Sequence, residues 1–179
     1  AINCLFTDGE TIWLGTETGG INLLSPKRLQ TKLWTCGSAD TENDAPTPVN
    51  AVDEDKNGNL WVALVERGLL KWNEDSKFCV HHLFSPNDIT SVSNNTLMGI
   101  LIDSDNRLWA YTWGVGINGI DLNIPNNRTF KRYTRENIPE LEGDFINSAC
   151  EDVINHGIWF GSTRGVHFYD KRKDTFVRV

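Results

Sequence analysis

The stretch Asn57-Gly58-Asn59-Leu60-Trp61-Val62-Ala63 decides the fold, because it recurs. Upstream it reads Gly9-Glu10-Thr11-Ile12-Trp13-Leu14-Gly15-Thr16. Downstream it reads Asn106-Arg107-Leu108-Trp109-Ala110-Tyr111-Thr112, and then His156-Gly157-Ile158-Trp159-Phe160-Gly161-Ser162. Trp13, Trp61, Trp109 and Trp159 are spaced by 48, 48 and 50 residues. An indole at near-constant spacing, each time behind a turn and an aliphatic residue, marks a repeated supersecondary unit. One strand-rich unit cannot bury its apolar face alone, so such units stack on one another.

Each tryptophan has the same surroundings. Before it lies a short segment with apolar residues at its first and fourth positions: Ile2-Asn3-Cys4-Leu5-Phe6, Val49-Asn50-Ala51-Val52-Asp53, Leu97-Met98-Gly99-Ile100-Leu101 and Ile146-Asn147-Ser148-Ala149-Cys150. Such a segment is too short for a helix and fits a strand near a crowded centre. An acid (Asp8, Asp55, Asp103 or Asp152) opens a turn rich in Gly, Asn and Asp, residues that tolerate positive φ and suit a tight hairpin. After the tryptophan strand, turns at Gly19-Gly20, Gly68, Gly116 and Gly165 lead to a third strand, such as Leu69-Leu70-Lys71-Trp72. The fourth strand holds Lys32-Leu33-Trp34, Phe78-Cys79-Val80, Phe130-Lys131-Arg132-Tyr133 or Phe176-Val177-Arg178-Val179.

The pattern predicts an all-β fold, a β-propeller segment over residues 1–179. Its four four-stranded antiparallel blades fall at about 1–36, 48–84, 96–134 and 145–179, with polar loops at 36–48, 85–96 and 134–145 between them. Four blades can close, but commoner rings have more, so the expectation is an open arc cut from a larger ring. A closed four-blade disc, or two arcs meeting in a dimer, is the alternative. Trp13, Trp61, Trp109 and Trp159 are expected in the core between blades.

Composition narrows the function. With 39% hydrophobic and 23% charged residues the chain of 179 is an ordinary folded domain. Its net charge of -7 lacks the basic stripe that nucleic acid requires. Lys171-Arg172-Lys173, flanked by Asp170 and Asp174, reads as a solvated hairpin turn. No apolar run approaches the ~18 residues of a membrane span, so no direct membrane contact is expected. No signal-peptide pattern opens the chain, which reads as a piece of something longer. Cys4, Cys36, Cys79 and Cys150 form no C-x-x-C pair, so zinc and thioredoxin-type readings fail. The reading favours four reduced thiols, those of Cys4 and Cys150 buried in first strands; a disulfide is the alternative.

Catalytic and metal signatures are weak. Asp53-x-Asp55-x-Asn57-Gly58 and Asp103-x-Asp105 match the start of a calcium loop, but the required twelfth-position carboxylate is replaced by Leu64 and Gly114. A hairpin held by side-chain caps is the better reading. The same turns resemble the Asp-box of sialidases, yet Arg67, Arg107 and Arg164 are scattered and supply no sialidase trio. His81-His82 reads as a strand-end pair, His156 as a turn residue and His167 as a third-strand residue. No nucleophile elbow, phosphate loop or zincin motif occurs. No metal, cofactor or catalytic residue is expected.

Taken together, Ile2-Asn3, Gly9, Ile12-Trp13-Leu14-Gly15-Thr16 and Gly19-Gly20-Ile21, with their counterparts in Val49–Trp72 and Ile146–Val166, resemble the two-component regulator propeller repeat. The third repeat matches most loosely. The resemblance implies the periplasmic sensor region of hybrid two-component histidine kinases of the Bacteroides type, built on rings of about seven blades. It further implies an oligosaccharide ligand and signalling to a kinase not contained in these residues. The expected partners are that ligand and either the remaining blades or a second copy of the chain. Similar-looking repeats also occur in virginiamycin-type lyases, so a lyase or glycoside-active propeller is the alternative, beside a structural protein-interaction ring.

Trp113 breaks the repeat. It sits in the turn between the second and third strands, beside Gly114 and Gly116, where the first repeat has Glu17-Thr18. Residues off the repeat pattern on a loop are where a ring protein places recognition. An indole face stacks on the C–H face of a sugar, and Glu66, Arg67 and Arg164 in the matching turns would bind hydroxyls or a carboxylate. These four residues form the expected ligand site, with filling of a gap between blades as the plainer role for Trp113.

Overall fold

The computed structural model describes residues 1–7, 11–24, 31–34, 47–73, 78–139, 141 and 145–178, of which 31–34, Phe78 and Arg178 are described as backbone. The described residues contain no α-helix, including across 57–63, 105–111 and 156–162. Four antiparallel sheets form instead, each in plain chain order.

Blade 1 holds β1 (Ile2–Thr7), β2 (Ile12–Thr16), β3 (Ile21–Leu24) and β4 (Thr31–Trp34). Blade 2 holds β5 (Val49–Glu54), β6 (Asn59–Leu64), β7 (Leu69–Asn73) and β8 (Phe78–His82). Blade 3 holds β9 (Leu97–Ile102), β10 (Arg107–Thr112), β11 (Ile117–Asp121) and β12 (Lys131–Tyr133). Blade 4 holds β13 (Ile146–Asp152), β14 (Gly157–Ser162), β15 (Gly165–Asp170) and β16 (Thr175–Arg178). The first strands pack side by side in chain order, β1 on β5, β5 on β9 and β9 on β13, and the sheets do not close into a ring. The described molecule is an arc.

The core lies between blades rather than within them. Trp13, Val49, Leu60, Val62, Leu70 and Trp72 join blades 1 and 2. Trp61, Leu69, Val92, Leu97, Leu108 and Phe130 join blades 2 and 3. Trp109, Tyr133, Ile146, Phe160, Tyr169 and Phe176 join blades 3 and 4. Trp13, Trp61 and Trp109 therefore pack forward onto the following blade. Position in the arc decides the alternation: β6, with neighbours on both faces, is buried throughout, whereas β2 in the end blade alternates.

Three expectations are corrected here. Trp13, Trp61 and Trp109 are buried, but Trp159 is only half-buried, because among the described residues no further sheet packs in front of it. Cys150 is exposed on that same end blade, so its thiol is not the buried filler expected; Cys4 is half-buried, and burial raises its pKa. The expectation of four reduced cysteines also fails, since Cys79 is disulfide-bonded while Cys4 and Cys150 are free. Asp8, Gly9, Cys36 and most of loop 36–48 lie outside the described residues.

The repeat acid has a sharper task than capping its turn. Asp55 Oδ1 accepts the backbone N–H of Asn57 (2.9 Å) and Asn59 (3.0 Å), while Oδ2 accepts the indole Nε1–H of Trp61 at 2.9 Å. Asp103 repeats this with Asp105, Arg107 and Trp109 at 3.0, 2.9 and 2.9 Å. Asp152 accepts Trp159 Nε1–H at 3.0 Å. One carboxylate thus fixes the hairpin and aims the ring, and it satisfies the polar atom that a buried indole carries. These bonds are the hairpin held by side-chain caps that the sequence favoured over a calcium loop.

Candidate functional site

The four residues singled out from the sequence all lie in turns between second and third strands. Glu66 and Arg67 are in the blade 2 turn, Trp113 in that of blade 3 and Arg164 in that of blade 4. In an antiparallel meander these turns share one end of the blades, so all four belong to the same face of the arc. Each turn is tied to the residue that precedes its blade's first strand or begins that approach. Val65 N–H bonds Pro48 O (3.1 Å), Trp113 N–H bonds Thr96 O (3.0 Å) and Thr163 N–H bonds Phe145 O (3.1 Å).

Backbone geometry explains the residue choice in these turns. Gly114 and Gly116 adopt φ of 74° and 83°, and a side chain at Gly116 would strike the backbone of Tyr133. Glu66 takes φ of 61° without being glycine, a costlier conformation that presents its carboxylate outward.

Trp113 is 55% exposed. Its ring stands edge-on to Phe145 at the entry to blade 4, with centroids 5.2 Å apart and planes at 81°. The indole is thereby held against the entry to blade 4 while about half of it stays open to solvent. Glu66 and Arg67 share the exposed turn of blade 2 and Arg164 is exposed on that of blade 4, with the Trp113 turn of blade 3 between them.

Beside the Trp113 turn runs a groove of about 620 Å³, lined among others by Gly114, Val115, Ser93, Arg132, Arg135 and Glu136. Arg132 is occupied. Its guanidinium donates to Ser91 O (2.9 Å), Asp88 O (2.9 Å), Ser91 Oγ (2.8 Å) and Val92 O (3.2 Å), which pins loop 85–92 against blade 3. Arg135 and Glu136 are exposed at its edge. Sequence reasoning missed these two. They sit in a segment read as a polar connection, and only their placement beside Trp113 marks them.

A second cavity of about 630 Å³ opens at the opposite end of blade 3, where Asp103, Arg107, Asn123, Asn127 and Lys171 line it. Its charges are paired internally. Lys171 Nζ reaches Asp103 (3.1 Å), Asp105 (2.8 Å) and Glu151 (2.6 Å). Burial alone would lower the Lys171 pKa, but these three carboxylates outweigh it and raise it above the usual lysine range. Arg107 lies over the Trp109 ring at 4.3 Å and donates to the hydroxyls of Tyr133 (2.6 Å) and Tyr169 (3.1 Å). The cluster joins blade 3 to blade 4.

Among the described residues no group of three His, Cys, Asp or Glu side chains is placed to hold a metal ion. His82 is buried, stacked on Trp61 at 5.4 Å and edge-on to Phe130 at 5.3 Å. Burial first, then the charges of Arg128, Lys71 and His81, push its pKa down to about 4. His81 is exposed, and His156 turns a corner at φ of 55°.

No family model matches the sequence, and no curated protein matches it. Solved structures do match. The extracellular domain assigned to the hybrid two component system BT3049 from B. thetaiotaomicron superposes with a TM-score of 0.79 at 18% identity, over 100% of this chain and 25% of that one. A streptogramin B lyase gives 0.66 at 17% identity, over 99% of this chain and 54% of the lyase. The β-propeller domain of Cps50 from Myceliophteria thermophila gives 0.67 at 12% identity, over 99% and 55%. The fold is a β-propeller. The chain spans a quarter of the length of the sensor domain it matches.

Proposed function

We propose that the chain is a non-catalytic, ligand-sensing segment of an extracytoplasmic two-component sensor propeller, and that it recognises an oligosaccharide through the face bearing Trp113. The carrying observation is the superposition of all four blades on the BT3049 extracellular domain at a TM-score of 0.79. The disulfide at Cys79 supports the compartment, since such bonds persist where the surroundings are oxidising, as in the periplasm. The half-exposed indole of Trp113, with Arg135 and Glu136 at the adjacent groove, supports a sugar: an aromatic ring for the C–H face and charged donors and acceptors for hydroxyls. Glu66, Arg67 and Arg164 complete the rim on neighbouring turns. Binding there would bias the arrangement of blades, and the coupling would pass to a kinase carried elsewhere.

Calorimetric titration with glycan digests tests this reading. A sugar that binds should lose at least about tenfold in affinity with Trp113→Ala, the scale of an aromatic contact at a binding site. Binding that survives Trp113→Ala unchanged would move the site elsewhere, and absence of any binding glycan would remove the sugar from the proposal.

A further inference from the structure

The connection between β8 and β9 ends in Ser93, Asn94, Asn95 and Thr96, and these residues bond to both blade 3 and blade 2. Ser93 N–H donates to Asn118 Oδ1 at 2.9 Å, and Asn118 Nδ2 donates in return to Ser93 Oγ at 3.0 Å. Asn94 Nδ2 reaches Trp113 O at 3.5 Å, and Thr96 O accepts Trp113 N–H at 3.0 Å. Asn95 turns the other way. Its backbone O accepts Gly68 N–H of the blade 2 turn at 2.7 Å, and its Oδ1 accepts Phe84 N–H just beyond β8, also at 2.7 Å. A side chain at Gly68 would strike His82 O, so the blade 2 turn also lies directly against the start of the connection. One tetrapeptide therefore holds both turns that carry Glu66, Arg67 and Trp113.

Asn118 anchors this tetrapeptide from inside the sheet. It stands on β11 opposite Ala110 and is fully buried, and its amide has a third partner in Ala110 O at 3.2 Å. Thr112, also fully buried, bonds Gly116 O at 3.1 Å and lies 3.5 Å from Ser93 Oγ. The same cluster thus grips the base of the Trp113 turn. A buried polar network whose members are all paired rigidifies the chain that forms it. The sheet itself does not call for an amide here, because the residues in equivalent register are Asn22, Leu70 and His167. Leu70 fills the place in blade 2 with no polar group and is buried. What calls for Asn118 is the connection.

We infer that Asn118 is a positioning residue of the ligand face: acting through Ser93, it holds residues 93–96 as a brace that fixes the Glu66-Arg67 turn and the Trp113 turn relative to each other. The two turns then act as one recognition unit spanning blades 2 and 3, although Asn118 itself, being buried, touches no ligand. The ligand's part rests on the oligosaccharide reading of this face, whereas the brace rests on the bonds alone. A sugar seated on Trp113 would tighten the brace, and blade 2 would register it at the Gly68 amide.

Hydrogen exchange of residues 1–179, followed amide by amide by NMR without any sugar, tests the brace. Asn118→Leu puts the blade 2 residue into blade 3 and leaves Ser93 N–H without its acceptor. It should speed exchange at both Trp113 and Gly68 by about tenfold, the scale of one buried donor left unpaired. The Asn106 amide, held by Asp103 O at the other end of blade 3, should keep its rate. A general loosening of the blade would speed it equally and overturn the inference. Ser93→Ala keeps the backbone bond to Asn118 and removes only the hydroxyl, so it should speed the same two amides by less, and it serves where Asn118→Leu fails to fold. A Gly68 amide indifferent to whichever variant folds overturns the brace. In a second arm the glycan digests are added. A digest that slows exchange at Trp113 should slow Gly68 as well in the wild type, and Trp113 alone in Asn118→Leu. Protection confined to Trp113 in the wild type overturns the inference. If no digest acts on Trp113, the sugar reading fails, and the ligand-free rates still decide the brace.

Discussion

At the scale of single residues, the repeat tryptophans show how one side chain's worth depends on its place in the arc. Trp109 is fully buried and its Nε1–H is held by Asp103, while Trp159 makes the equivalent bond to Asp152 but keeps one side in solvent. Trp109→Ala should therefore destabilise the fold by about 3–5 kcal/mol, as for other large aromatic deletions in cores. Trp159→Ala should cost less than half of that, since part of its surface was never removed from water. Urea unfolding of dilute protein measures both, and equal losses would refute the forward-packing account. The wedge role of the indole was legible from the 48-residue spacing; its bond to the acid was not, because Asp103 and Trp109 meet only once the hairpin between them has closed.

At the scale of strands and turns, periodicity reported elements well wherever a repeat was regular. The bulge was not legible, since a slip in register is a relation between two strands and leaves no mark in either alone. Asn3 and Asn50, the extra residues where the register of β1 and β5 slips, were visible as recurrent, yet their purpose needed the next blade's carbonyls, Val49 O at 3.1 Å and Leu97 O at 2.7 Å. Removing that link in Asn50→Ala should cost about 1–2 kcal/mol, the value of a lost hydrogen bond that leaves a carbonyl without its donor. Asn50→Asp should cost more, because a carboxylate brings a second acceptor against Leu97 O; thermal unfolding of the two variants ranks them. The connection 85–96 was read as merely polar, but Val92 from it is fully buried between blades 2 and 3. Leu141, in the connection before blade 4, fills the same role between blades 3 and 4. A lone apolar residue inside a polar run carries no period, so composition hides it. Trp113 was found for the opposite reason: it departs from an otherwise regular pattern.

For the whole molecule, the forces that hold blades together respond to acid in two stages. His82, wedged between Trp61 and Phe130 at the blade 2–3 junction, has its pKa lowered from the ordinary 6.5 to about 4. A base with a depressed folded pKa contributes stability that is complete above 6.5 and is lost as pH falls from 6.5 towards 4. At 1.36 kcal/mol per unit of pKa, the full loss is about 3 kcal/mol. Below that window the carboxylates give way. Bonds from Asn155 and Trp159 hold Asp152 down to about 2, so its contribution is present above 3.8 and lost as pH falls towards 2. Asp105, bonded to Lys171, is depressed in the same sense. Asp53 works the other way: burial outweighs its bonds to Ile102 and Glu54 and raises its pKa, so its protonation relieves the fold in acid. The expected result is a urea midpoint that drops between pH 7 and pH 4.5, and drops again below pH 4. His82→Phe keeps an aromatic ring between Trp61 and Phe130 but removes the titrating nitrogen, so it should abolish the first drop and spare the second. A variant whose midpoint still falls between pH 7 and pH 4.5 would place the acid sensitivity outside the blade 2–3 junction.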